Sequence, residues 1–131
     1  MSGLKRLGRQ LSRYSAIGVL NTLVGGALIY LAHNAFGLGV IVSNVIGYGA
    51  GLTLSYFGNK YWTFGDTTRS AVAPMIFAAL VAVAFSSNLG ITFGLIAAGL
   101  SFNIAQFFGI VTYSAIVFLG MKFLLFSERK N

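Results

Sequence analysis

The chain has 131 residues, of which 56% are hydrophobic and only 8% charged, with a net charge of +7. Soluble domains carry about 25% charged residues, so a soluble globular domain is excluded. A transmembrane barrel is excluded as well, because its strands alternate apolar and polar residues whereas these apolar runs are continuous. Cysteine is absent, which removes disulfides and thiolate metal sites. One histidine and two acids, Asp66 and Glu128, are too few for an ordinary metal or acid–base centre.

In chain order, residues 1–14 form a basic segment with Lys5, Arg6, Arg9 and Arg13 interleaved with Leu4, Leu7 and Leu11 at helical spacing. That pattern predicts a short amphipathic helix in the headgroup layer, beside anionic membrane lipids. No small-residue cleavage site follows, so the apolar run from Ser15 to Ala32 reads as a retained first helix. The 46 residues between Arg13 and Lys60, and the 52 between Arg69 and Lys122, contain no Asp, Glu, Lys or Arg. A spanning helix needs roughly 20 apolar residues, so each block holds two helices and a tight turn. The turns are expected near His33–Leu38 and Phe93–Gly99, and the helices at about residues 15–32, 39–58, 72–92 and 100–121. Asp66–Ser70 reads as a polar linker offering helix N-caps, and Pro74 suits the first turn of the third helix.

All nine Lys and Arg then fall on one side, in the N-terminal segment, the 59–70 loop and the tail. The positive-inside rule makes that side cytoplasmic, with both termini inside. The expected fold is an all-α, integral membrane four-helix bundle. Residues 15–122 form the membrane domain and 123–131 a cytoplasmic tail. Charge confined to membrane boundaries argues against a nucleic-acid partner. At an offset of 62 residues, Gly47, Gly58, Lys60 and Phe64 match Gly109, Gly120, Lys122 and Phe126. That match is either chance or the trace of two parallel helical hairpins.

The stretch Ser55–Phe64 ends the second apolar run with an amide, a cation and several aromatics. Such a cluster anchors a helix at the interface, or it offers donors to a lipid phosphate. Five amides lie within the spans: Asn21, Asn44, Asn88, Asn103 and Gln106. In hydrocarbon each needs a partner on another helix or a polar cavity. Gly47-xxx-Gly51 and Gly90-xxx-Gly94 have close-packing spacing, and His33 reads as an interfacial polar cap. No carboxylate lies within a span, which disfavours a proton-coupled cation exporter. No phosphate loop and no nucleophile–base pair are present, so neither ATP coupling nor catalysis is expected, and no cofactor. The single-sign charge ring points to an anionic ligand in the inner leaflet.

Two segments carry a family resemblance. Arg13-Tyr14-Ser15-Ala16-Ile17-Gly18-Val19-Leu20-Asn21 and Ser55-Tyr56-Phe57-Gly58-Asn59-Lys60-Tyr61-Trp62-Thr63-Phe64 resemble motifs of the GtrA-like family of small four-helix membrane proteins. The resemblance extends over about residues 9–127. It implies flipping of a polyprenyl-phosphate-linked sugar from the cytoplasmic to the outer leaflet, for use by a membrane glycosyltransferase. It also implies candidate site residues Arg13, Asn21, Asn59, Lys60, Trp62 and Phe64. Position 60 is Lys where the family often has Arg, which keeps charge but loses bidentate geometry. Position 55 is Ser where Asn is frequent.

These readings combine into an expected mechanism. Arg13, Lys60 and Lys122 hold a phosphate at the cytoplasmic face, while Trp62, Tyr61 and Tyr56 stack on the sugar. Asn21, Asn88, Asn103 and Gln106 line a polar route for the head group. One four-helix bundle leaves little room for a sugar, so a homo-oligomer, with a dimer favoured, is expected in the cytoplasmic (inner) membrane. The alternative is a non-transporting scaffold subunit for a membrane glycosyltransferase.

Overall fold

The computed structural model describes residues 2–126. Glu128 and most of the expected cytoplasmic tail lie outside the described residues. The chain is a multi-pass membrane protein with four helices long and apolar enough to span, arranged in two compact helical hairpins. Large apolar side chains such as Val19, Ile41, Val83 and Phe107 are exposed on them. Lipid rather than water suits such an outward face.

The first hairpin pairs α1 (Gly3–Tyr30) with α2 (Val40–Gly58). Ser2 caps α1 by accepting from the Lys5 N–H at 3.2 Å. The helix then runs unbroken through residue 14, so the basic segment and the first span are one helix. Together with a closing π turn, Leu31–Ala35, it covers 33 residues. At 1.5 Å per residue that is about 50 Å, well beyond a hydrocarbon core of about 30 Å. Its basic third can therefore stand clear of the hydrocarbon without a helix break. Gly37, at φ +70°, stops the chain, and the Phe36 N–H returns to the Leu31 carbonyl at 3.1 Å. His33 Nδ1 lies 2.8 Å from the Leu38 carbonyl oxygen, the polar-cap role expected of it.

Backbone contact closes this hairpin. A methyl group on Gly47 would lie 2.7 Å from the Gly25 carbonyl oxygen and press on Ile29. One on Gly51 would meet the Asn21 side chain, and one on Gly58 would meet Ile17. The Gly47–Gly51 spacing thus does what was expected of it. Gly90 and Gly94 differ, because among the described residues nothing beyond their own helix turn comes within 4 Å of a methyl placed there.

The second hairpin pairs α3 (Ala73–Ala97) with α4 (Phe102–Gly120). The Ser70 hydroxyl accepts from the N–H groups of Val72 and Ala73, and Pro74 sits in the first turn. Helix α3 runs five residues past its expected end because Gly94, inside the helix, does not break it. The stop comes at Gly99, φ +99°, where the Leu100 N–H bonds the Leu95 carbonyl at 3.0 Å. That left-handed glycine closure satisfies the last carbonyls of the helix. Ser101 then caps α4 through the Ile104 N–H.

The two hairpins share an internal construction. Helix α2 continues into a π turn, Asn59–Thr63, and α4 into another, Met121–Leu125, with all bounds offset by 62. Gly109 faces Asn88 and Thr92 as Gly47 faces Gly25 and Ile29. Gly120 faces Leu80 as Gly58 faces Ile17. Phe64 and Phe126 are both buried after their π turns. The sequence match at offset 62 therefore coincides with a repeated structural unit.

Candidate phosphate-lipid site

The π turn Asn59–Thr63 closes the C-terminal end of α2, and a helix C-terminus carries partial negative charge. Two cations lie at this end, Arg13 from α1 and Lys60 of the turn itself. Arg13, one turn after Arg9 on α1, donates from Nη1 to the Trp62 carbonyl at 2.8 Å. Its guanidinium also stacks 5.1 Å from the Trp62 ring centroid. A guanidinium has five N–H donors, so one bond to Trp62 leaves several directed elsewhere. Arg13 is half-buried, where charge-assisted bonds are stronger than in open water.

Lys60 lies inside the π turn and is only 6% exposed. Its ammonium stands 3.9 Å from a carboxylate oxygen of Asp66 and 5.4 Å from the Tyr61 ring centroid. Asp66 is itself 3% exposed. Of the linker residues 66–70 expected to offer helix N-caps, Ser70 accepts from the N–H groups of Val72 and Ala73, while Asp66 stands beside Lys60. Gly65, at φ +64°, folds the chain back so that the Asp66 N–H bonds the Lys60 carbonyl at 2.8 Å. The carboxylate is thus placed beside Lys60 by the backbone.

Asn59 is a part of the scaffold under this cluster. Its Nδ2 donates to the Ser55 carbonyl at 2.8 Å, and its Oδ1 accepts from the Thr63 hydroxyl at 2.7 Å. With 1% exposure and both ends engaged, Asn59 fixes the π turn that orients Lys60 and Trp62. Phe64, 1% exposed, anchors the turn from below. Of the aromatics expected to stack on a sugar, Tyr61 and Trp62 are exposed. Tyr56 is buried and packs edge-on against Phe57. Its place on the open face is taken by Phe57, which stacks on Tyr61 at 6.1 Å.

Asn21 lies eight residues beyond Arg13 on α1, about 12 Å deeper along the axis. Its side-chain carbonyl oxygen is buried against Gly51 and has no hydrogen-bond partner among the described residues. Asn44 turns onto its own helix, donating to the Val40 carbonyl.

The other expected residues belong to the second hairpin. Asn88 accepts from the Thr92 hydroxyl at 3.2 Å, and both press on Gly109. Asn103 is exposed and Gln106 half-buried in the first two turns of α4. Lys122 follows the opposite end of α4, about 28 Å from Asn103 along the axis, and its ammonium lies 5.8 Å from the Phe123 ring. Asn59, Lys60, Trp62 and Phe64 therefore lie in and just after one π turn of the first hairpin, which Arg13 reaches through Trp62, with Asn21 further along α1. Sequence reasoning missed Asp66 and Thr63. The signals were a rare acid six residues after Lys60, and Asn59 and Thr63 four apart on one helix face.

Comparison with known proteins agrees with this architecture. Residues 13–126 match the family model described as GtrA/DPMS, transmembrane domain. The chain is 31% identical over 127 residues to the bactoprenol-linked glucose translocase of Shigella phage SfX, covering 91% of this chain and 96% of that protein. The protein of the same name from Shigella phage SfV is 31% identical over 126 residues, covering 90% and 95%. The prophage bactoprenol-linked glucose translocase homolog of Escherichia coli K12 is 31% identical over 127 residues, covering 91% and 96%. With a match that begins at Arg13 and ends at Phe126, spanning both hairpins, the chain belongs to the GtrA/DPMS transmembrane-domain family.

Proposed function

We propose that this protein moves a polyprenyl-phosphate-linked monosaccharide from the cytoplasmic to the outer leaflet of the cytoplasmic membrane. The observation that carries the reading is the Arg13–Trp62–Lys60 cluster at the end of α2. It combines directed donors, a buried cation and exposed aromatic faces in a chain whose relatives are named for a lipid-linked glucose. Arg13 and Lys60 hold the phosphate by charge-assisted hydrogen bonds. Trp62 and Tyr61 present ring faces to the apolar face of the sugar. Asn21 offers an acceptor to passing hydroxyls, and the prenyl chain stays in lipid. Asn88, Asn103, Gln106 and Lys122 supply the polar positions of the second hairpin.

No bond is made or broken in this reading, so the protein is a transporter and not an enzyme. Both termini are cytoplasmic, and net flux follows the gradient set by a membrane glycosyltransferase that consumes the sugar outside. Two copies of the chain supply the width that a sugar needs.

The test is reconstitution into liposomes with a polyprenyl-phosphate sugar, following its accessibility on each leaflet over time. Wild type should accelerate equilibration. Lys60→Ala and Arg13→Ala should each lose at least about tenfold in rate, one charge-assisted contact being worth about that. No acceleration by folded wild type over empty liposomes would overturn the proposal.

A further inference from the structure

The buried Asp66 has no part in a simple phosphate clamp, and its chemistry opposes one. A carboxylate fixed beside the cation that receives the ligand repels every anion brought there. Its backbone hold, through Gly65 and the Asp66 N–H bond to the Lys60 carbonyl, keeps it in place when Lys60 changes partner. The Lys60 ammonium stands 3.9 Å from the carboxylate, longer than a charge-assisted hydrogen bond of about 2.8 Å. Without a ligand, Asp66 compensates a lysine that would otherwise be a costly buried charge.

We infer that Asp66 is a specificity-determining residue, a resident anion that reduces the preference of the Arg13–Lys60 site for a doubly charged phosphomonoester over a singly charged phosphodiester. The inference rests on the translocation reading above. A carrier lipid linked to a sugar through phosphate is a diester with one negative charge. The bare carrier left once the sugar has been transferred is a monoester with a charge of about −1.5 to −2 at neutral pH. Repulsion by a fixed carboxylate scales with ligand charge, so it weakens the monoester about twice as much in free energy as the diester. Attraction to Arg13 and Lys60 alone would favour the monoester and fill the site with spent carrier. Asp66 offsets that bias.

The experiment measures equilibrium binding to full-length protein in nanodiscs. The probes are a prenyl phosphoglucose, the prenyl phosphate of the same length, and the uncharged prenol. Asp66→Asn should tighten the diester about tenfold and the monoester about a hundredfold, with the prenol unchanged. Equal tightening of both phosphates, or none, with wild-type binding intact, overturns the inference and leaves the translocation reading standing. If wild type binds neither phosphate better than the prenol, the translocation reading falls with it. Should Asp66→Asn fail to fold, Lys60→Gln is compared with Lys60→Gln/Asp66→Asn, whose neutral pair leaves no lone buried charge. The double variant should bind the monoester more tightly than the single one, by a larger factor than the diester; equal affinities overturn the inference.

Discussion

Alanine at Gly47 and alanine at Gly49 should move the stability of the first hairpin in opposite directions. The two glycines are two residues apart on α2, yet their surroundings differ. A Cβ at Gly47 would stand 2.7 Å from the Gly25 carbonyl oxygen and 2.8 Å from Ile29 Cδ1. Ile29 can rotate aside, but the carbonyl belongs to a helix backbone and cannot. The helices must separate by several tenths of an ångström, and overpacking of that kind costs about 1–3 kcal/mol. Alanine's better helix propensity returns about 1 kcal/mol, so the net loss at Gly47 is up to about 2 kcal/mol. At Gly49, among the described residues, nothing beyond its own helix turn lies within 4 Å of an added Cβ, so only the propensity gain remains. The two variants should differ by about 2 kcal/mol. Equilibrium unfolding in mixed micelles, read by energy transfer between labels on α1 and α2, measures the difference. A Gly47→Ala protein as stable as Gly49→Ala would refute the close-contact argument.

Two further substitutions separate scaffold from route. Thr63→Val removes the donor to Asn59 Oδ1 and leaves a buried acceptor unsatisfied, which should cost about 1–3 kcal/mol in the same unfolding assay, whereas Thr63→Ser should be close to neutral. Asn21→Ala removes an acceptor that already lacks a partner, so stability should stay within about 1 kcal/mol of wild type while the initial flipping rate in liposomes falls. An unchanged rate would take Asn21 off the route.

The difference between these residues explains how far a reading of the chain alone can go. Membrane residence, four helices and two tight turns follow from composition and charge-free length, because hydrocarbon admits no unpaired backbone and sets the span. Family membership was legible too, since Arg13, Asn21 and the Asn59–Phe64 motif stand at fixed spacing in the chain. Helix ends were less legible. A glycine stops a helix only when its φ turns positive, as at Gly37, Gly65 and Gly99, and Gly94 carries no mark in sequence to distinguish it from them.

The folded chain decided which polar groups are engaged, through local bonds four residues apart as well as through contacts between helices. Asn59 and Asn21 are both motif amides, yet one is bonded at both ends and the other has a bare buried oxygen. Whether a side chain finds a partner depends on what the fold brings within about 3 Å, and composition does not encode that distance. The same holds for Asp66. In sequence it is an acid in a polar linker; in the fold, one left-handed glycine turns it back onto Lys60. Composition therefore determined the solvent and the number of spans, because those depend on summed transfer free energies along the chain. The charge balance around Lys60 depends on a single backbone torsion, and only the folded chain reveals it.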